Sequence, residues 1–264
     1  MRSIELAVVL PLLGGAAAFL IGFFPRLGKV EGRSLLAAAA VLLSLLGALV
    51  ATISGLLLFR AEGAVTSVVG AWPASMGVQL LLDAPAAALL LMLLPVAILI
   101  LLYAAGEGLY DTLFYGVYGV AAAGMTGVIL SADLFNLFVF FEVLSLSAAI
   151  LIAYKRGLPA LYAAYRYLLI TVFAVAIYLV GLFIVYRATG ELAFSAVASM
   201  IRDGVTVPSV AALLLFGGVA VRAALVPFHL WLPAAHSLAP HPVSALLSGL
   251  MLKAAFIALW RVVT

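Results

Sequence analysis

The sequence predicts an all-α integral membrane protein of about eight transmembrane helices, the seventh of them broken. Three observations predict it. Apolar residues make up 68% of the 264 and charged residues only 9%, against roughly a quarter charged in soluble domains. The mean hydropathy is +1.36. The apolar residues also fall into eight runs, each close to the ~20 residues that cross a bilayer, separated by charged, Gly or Pro punctuation.

The first run, 4–24, has only Arg2 ahead of it and no small-residue cleavage site after a short core, so it reads as a retained helix rather than a signal. The second run covers 34–59. The connection from Arg60 to Asp83 is too short for a domain, and its Gly70-Ala71-Trp72-Pro73 turn suits the headgroup layer. Runs at 84–105, 112–130, 132–154 and 162–187 follow. In the loop from Thr189 to Val207, helical spacing places Phe194, Val197, Ala198 and Ile201 on one face, so residues 193–201 are either a short helix lying on the membrane or a plain loop. The last two runs are 208–226 and 240–262. Basic residues beside the runs tie at five on each side, and the tight clusters at 26–33 and 155–156 favour an N-terminus outside the cell. The location is a cell membrane, plasma or inner, crossed many times.

Composition also excludes function classes. The chain has no Cys, which removes thiolate metal sites, iron–sulfur clusters and c-type haem attachment, so any redox chemistry sits on partner chains. A net charge of +3 dispersed over the chain is too small to bind nucleic acid. No P-loop or other cofactor motif is present, and no nucleophile–base constellation supports a catalytic site of its own.

Most ionisable residues fall between the runs, but three do not. Glu142 sits mid-span with Phe135, Phe138, Ser145 and Ala149 on its helical face. Lys253 is also mid-span, on the face of Leu246, Gly249, Leu250 and Ile257. Arg222 lies late in the seventh run. A charge at mid-bilayer costs about 2.5–3.5 kcal/mol on insertion scales, so such residues pair or line a hydrated cavity. Three on separate helices predict one shared ion-translocation site; the competing reading is a packing ion pair without transport. Pro227 cannot donate a backbone hydrogen bond and is expected to free the carbonyl of Ala223 beside the Arg222 charge. Pro233, Pro240 and Pro242 follow, and a broken helix at membrane depth is tolerated only inside protein or along a cavity. Among them, His229 is the candidate proton relay, while His236 and His241 suit interfacial hydrogen bonding. Their spacing lacks a regular metal pair, and no metal site is assigned. Asp133 reads as a solvated helix cap, Arg166 as a snorkelling cation at the start of its span, and Gly217-Gly218 as a close-packing point.

Two stretches carry a family pattern: Asp133-Leu134-Phe135-Asn136-Leu137-Phe138-Val139-Phe140-Phe141-Glu142-Val143, and Pro227-Phe228-His229-Leu230-Trp231-Leu232-Pro233-Ala234-Ala235-His236 followed by Ala239-Pro240-His241-Pro242-Val243-Ser244-Ala245-Leu246-Leu247-Ser248. Both resemble the antiporter-like subunits shared by respiratory complex I, Mrp-type cation/proton antiporters and membrane-bound hydrogenase complexes. Tyr165-Arg166-Tyr167 and Tyr186-Arg187-Ala188-Thr189-Gly190 fit the same pattern. The resemblance implies three N-terminal helices over 1–111 and the first five-helix repeat over 112–264, with the second, inverted repeat absent. It also implies that Glu142 is the family's central glutamate, that Arg222 stands where a lysine is usual, and that Lys253 is the lysine of the next helix. His229 joins them, with Asp133, Arg166 and His236 in support.

There are departures. Arginine does not give up its proton, and position 234 is Ala where the motif often carries an acid. The expectation is a truncated or split antiporter-like subunit of a redox-driven or cation/proton-translocating complex, carrying a proton or Na+ half-channel. The alternative is a non-pumping structural subunit that keeps the fold and the ion pair. Its expected partners are other membrane subunits, one of them supplying or replacing the second repeat, and the lipid bilayer.

Overall fold

The computed structural model describes residues 3–24, 30–69, 77–155 and 157–263. The Gly70-Ala71-Trp72-Pro73 turn, and Arg2, Arg26, Lys29 and Arg156 of the orientation count, lie outside the described residues.

Helices α1 (Ser3–Phe23), α2 (Val30–Glu62), α3 (Ala84–Glu107), α4 (Thr112–Leu130), α5 (Leu134–Ile152) and α6 (Leu158–Thr189) account for the first six runs. Then come α7 (Phe194–Arg202), α8 (Ser209–Arg222), a 3-10 turn Phe228–Trp231, α9 (Leu232–Leu238), and a last span of α10 (His241–Leu246), a π-turn Leu247–Met251 and α11 (Leu252–Val263). Among the described residues seven helices are long and apolar enough to cross a membrane. The remaining expected span differs: α8 has 14 residues, roughly 21 Å of helix, which falls short of a ~30 Å hydrocarbon core. Its continuation is the broken segment after Arg222. Helix α7 forms where the sequence allows either a helix or a loop.

The starts of α3, α4 and α5 are set by aspartates. Asp83, Asp111 and Asp133 each accept a hydrogen bond from a backbone N–H of the first turn, the bond that satisfies an otherwise orphaned donor. Large apolar side chains cover the outer surface, including Leu20, Leu43, Leu99, Phe173, Phe183 and Leu213, which in water would be a standing liability and in lipid is ordinary.

Between α2 and α3 the sequence indicates only a connecting loop. The structure has an antiparallel hairpin of β1 (Val65–Val69) and β2 (Val78–Leu82), with Val65 opposite Leu82 and Val69 opposite Val78. The hairpin is part of a wider strap. Leu80 bridges to Ser131, Asp133 bridges to Ala193, and the Ala132 N–H donates to Gln79 O at 3.0 Å while Ala132 O accepts from Phe194 N. The corner between α4 and α5 is thereby tied to the hairpin on one side and to the end of the α6–α7 loop on the other.

The final helix locks onto the same strap. Arg261 donates to Ser131 O and to Leu81 O, and pairs with Asp83 at 3.3 Å. Sequence position alone makes Arg261 one of the charges beyond the membrane end of its helix. It is largely buried instead, its side chain 7% exposed, because these acceptors at the membrane edge replace water.

Candidate functional site

Helix α5 carries Glu142 and Ser145 one turn apart, on the face expected from their spacing. Its position against α4 depends on Gly124, where an added Cβ would lie 2.9 Å from the backbone nitrogen of Leu144. Helix α8 brings Arg222 to this face. Its packing on α6 rests on Gly218, whose Cβ would meet Tyr178 Cβ at 2.7 Å; Gly217 has only Ile177 within 4 Å, at 4.0 Å. Close packing belongs to Gly218 alone of the pair expected to share it.

The Arg222 side chain is 6% exposed and grips one turn of α5. One guanidinium nitrogen meets Glu142 Oε1 at 2.5 Å. The other donates to Phe141 O at 3.0 Å and to Ser145 Oγ. The guanidinium carbon also lies 4.9 Å from the centre of the Phe141 ring, a cation–π distance. All of these acceptors come from α5, so Arg222 binds the helix as well as its carboxylate. Tyr167 and Thr171 of α6, Trp231, Met251 and Ala255 line this side of Arg222 around a small cavity of about 10 Å³. A single water needs roughly 10–15 Å³. Glu142, with its side chain 30% exposed, is the open side of the pair.

The break in the seventh helix differs from the expected one. The ladder stops at Arg222, before Pro227 can interfere. Leu225 N–H bonds back to Ala220 O and Ala224 N–H to Val221 O, the pattern of a Schellman helix end. Ala224 occupies its left-handed position at φ 51°, where glycine is usual because a Cβ is crowded there. Trp231 Nε1 then donates to Val221 O at 3.1 Å and its ring lies 5.0 Å from that of Tyr167, holding the broken segment against α6 and α8. Pro233 and Pro242 sit in the first turns of α9 and α10, where a missing N–H is harmless. They start new helical pieces rather than interrupt old ones.

Lys253 is not drawn into the pair. Among the described residues no hydrogen bond or ion pair joins it to Glu142 or Arg222. It is exposed, while Leu246, Leu250 and Ile257, its expected face, are buried. The π-turn Leu247–Met251 accounts for the offset from Leu246, because one inserted residue rotates the rest of the helix by about 100°; Ile257 follows the turn, as Lys253 does, and is buried on the neighbouring side of α11. Lys253 Nζ donates to Ser248 O at 2.5 Å, Ser248 Oγ donates to Ser244 O at 2.9 Å, and Ser244 Oγ is 2.8 Å from His236 Nδ1. The structure thus sets Lys253 against its own helix, one turn of which also meets His236 through Ser244. His229 stands on the turn after the break, its Nδ1 buried without a hydrogen-bond partner among the described residues.

Asp133 caps α5, accepting from Asn136 N at 2.7 Å and from the Asn136 side chain. It is a cap, as expected, but buried at 6% exposure rather than solvated, because the strap covers it. Nine residues along α5 put it roughly 13 Å from Glu142. Arg166 is exposed on α6, its guanidinium 5.9 Å from the Tyr162 ring centre.

Sequence reasoning missed the strap and the Arg261 clamp. A signal for the hairpin was present in Val65-Thr66-Ser67-Val68-Val69, a β-branched run before a Gly-Ala-Trp-Pro turn. It missed the Trp231 bond to Val221 as well.

Comparison with known proteins identifies the family and the fold. The family described as NADH:quinone oxidoreductase/Mrp antiporter, TM, matches residues 131–264. The chain is 36% identical to an NADH-quinone oxidoreductase subunit of Desulforudis audaxviator over 97% of its own length and 51% of the relative's. It is 28% identical to a Na(+)/H(+) antiporter subunit of Bacillus subtilis, over 98% of this chain and 52% of the other. A subunit in the structure of the membrane-bound sulfane sulfur reductase, an archaeal respiratory membrane complex, superposes with a TM-score of 0.86 at 27% identity, covering 98% of this chain and 52% of that one. The chain spans about half the length of the curated relatives it matches. The chain belongs to the NADH:quinone oxidoreductase/Mrp antiporter family of multi-pass membrane subunits.

Proposed function

We propose that this chain carries one ion-translocating half-channel of an antiporter-like subunit, working within a multi-subunit redox-driven or cation/proton-translocating membrane complex. The observation that carries the proposal is the Glu142–Arg222 pair at the break of α8, between membrane-spanning helices. In this reading Glu142 is the group that exchanges charge with its neighbours, being the more exposed side of the pair. Arg222 is a fixed cation that keeps a carboxylate favourable at that depth. Lys253 loads or passes the proton, and His229 relays it, with Asp133, Arg166 and His236 as supporting groups. The other half of the path comes from a second repeat, either in continuous sequence or on a partner subunit.

The test is ion pumping by the native complex, purified through a tag on this chain and reconstituted in vesicles with a pH-sensitive dye. Glu142→Gln and Lys253→Met should each abolish the pH gradient formed per assembled complex. Arg222→Lys should retain it if Arg222 is only a fixed charge. Unchanged pumping in Glu142→Gln and Lys253→Met overturns the proposal.

A second reading is favoured by one specific observation: Arg222 cannot release a proton and is held by three acceptors on α5 beside a cavity of one-water size. On that reading the chain is a structural membrane subunit, and Glu142→Gln weakens assembly without lowering pumping per assembled complex.

A further inference from the structure

The π-turn Leu247–Met251 interrupts the last membrane span, and its hydrogen bonding has a chemical consequence. Leu252 N–H reaches back five residues to Leu247 O. In an α-helix that N–H would go to Ser248 O. The carbonyl passed over is the one that accepts the Lys253 ammonium, at 2.5 Å. An unpaired carbonyl inside a membrane is costly, and so is an unpaired ammonium. Here each satisfies the other within one helix, at the thirteenth of the span's 23 residues counted from His241. The exposed stripe through Ala245, Ser248, Lys253, Phe256 and Trp260 offers the ammonium no other partner among the described residues.

We infer that the π-turn is a built cation holder, in which the carbonyl of Ser248 positions the Lys253 ammonium along its own helix. Ser248 is therefore a positioning residue for Lys253, acting through its backbone carbonyl. The ligand class is a primary ammonium, and a guanidinium at the same position fits the same acceptor. The placement also explains how Lys253 is carried on an outward face without a carboxylate beside it. Its importance for transport rests on the reading of Lys253 given above, but the geometry does not.

The sequence makes a direct test available. Ser–Gly occurs twice, at Ser54-Gly55 and Ser248-Gly249. Labelling serine carbonyls with 13C and glycine nitrogens with 15N therefore isolates two carbonyls in solid-state NMR of the full chain in lipid bilayers, with Ser54 as internal control. Lys253→Met should shift the Ser248 carbonyl resonance and leave that of Ser54 in place, and Lys253→Arg should return it towards the wild-type position. With 15N on the lysine Nζ, the wild-type Ser248 carbonyl should also show strong dipolar coupling to a lysine nitrogen that Lys253→Met removes. A Ser248 carbonyl unmoved by Lys253→Met, or one that Lys253→Arg fails to restore, overturns the inference. Because the readout is a carbonyl and not transport, loss of the half-channel reading would leave this result standing, and the reverse holds.

Discussion

Replacing Glu142 by Gln should be among the most destabilising single changes at the site, and the structure says why. Arg222 is almost fully enclosed at 6% side-chain exposure, and of its hydrogen-bond acceptors only Glu142 is charged. The change keeps Phe141 O and Ser145 Oγ but leaves a guanidinium that cannot shed its proton. Removing one partner of a buried pair costs about 3–5 kcal/mol, chiefly because the other charge stays behind. Arg222→Met should cost less, since a carboxylate can neutralise itself by taking up a proton and Glu142 is 30% exposed. In the double variant neither charge remains, so its cost should fall below the sum of the singles by roughly 1–3 kcal/mol. The assay is unfolding of the purified chain in mixed micelles by added SDS. Trp fluorescence is followed, because Trp231 bonds to Val221 beside the pair. Single variants that each stay within about 0.5 kcal/mol of wild type, or a double variant that equals their sum, would refute a coupled buried pair.

Three further outcomes are expected. Ala224→Gly should stabilise the chain by about 1 kcal/mol in the same SDS titration, because it relieves a left-handed alanine at a helix end; a loss of stability would mean that the left-handed position is wrong. Arg261→Ala should cost about 1.5–3 kcal/mol, the range for hydrogen bonds to a charged group, and should speed hydrogen exchange at the β1–β2 amides while sparing α1. Gly124→Ala should cost about 1–3 kcal/mol by overpacking α4 against the Leu144 backbone, read as a lowered SDS midpoint.

The parts of the fold legible in the sequence were those written in hydropathy. Span boundaries follow the apolar runs because lipid demands apolar surface everywhere, and the buried charges stand out because everything around them is apolar. Contacts between backbone groups left little trace. The strap through Gln79, Ala132 and Phe194 uses N–H and carbonyl groups that any residue carries, and the stop at Arg222 is a Schellman end that has no glycine to announce it. Pro227 correctly marked a broken helix and misplaced the break by several residues. Charge alone predicted that Glu142 would pair with Arg222 or Lys253; that the partner is Arg222, and that it also grips Phe141 O and Ser145, required the fold. Lys253 is the instructive failure, since an unbroken 3.6-residue period put it with buried leucines and one π-turn residue moved it to the outside.

That displacement changes how the three charges relate. Lys253 on the last span faces outward and Glu142 on α5 is partly exposed, its side chain at 30%, while Arg222 between them in sequence is buried. A cation with three acceptors beside a cavity of one-water size is a poor carrier of a moving proton and a good anchor for a charge that must stay. The two more exposed groups differ from it in chemistry as well as place, being a carboxylate and an ammonium against a guanidinium that keeps its proton. Under the proposed function, transfer between them would run along the outside of this bundle or through whatever packs on it, rather than through Arg222. Crosslinking offers a way to find that neighbour: the chain has no native Cys, so single cysteines at Leu146 on α5 and Phe256 on α11, both exposed on those faces, should capture the covering segment in the native complex. If both instead label freely with lipid-soluble reagents and capture no protein, these faces border lipid, and a route through a packed neighbour is excluded.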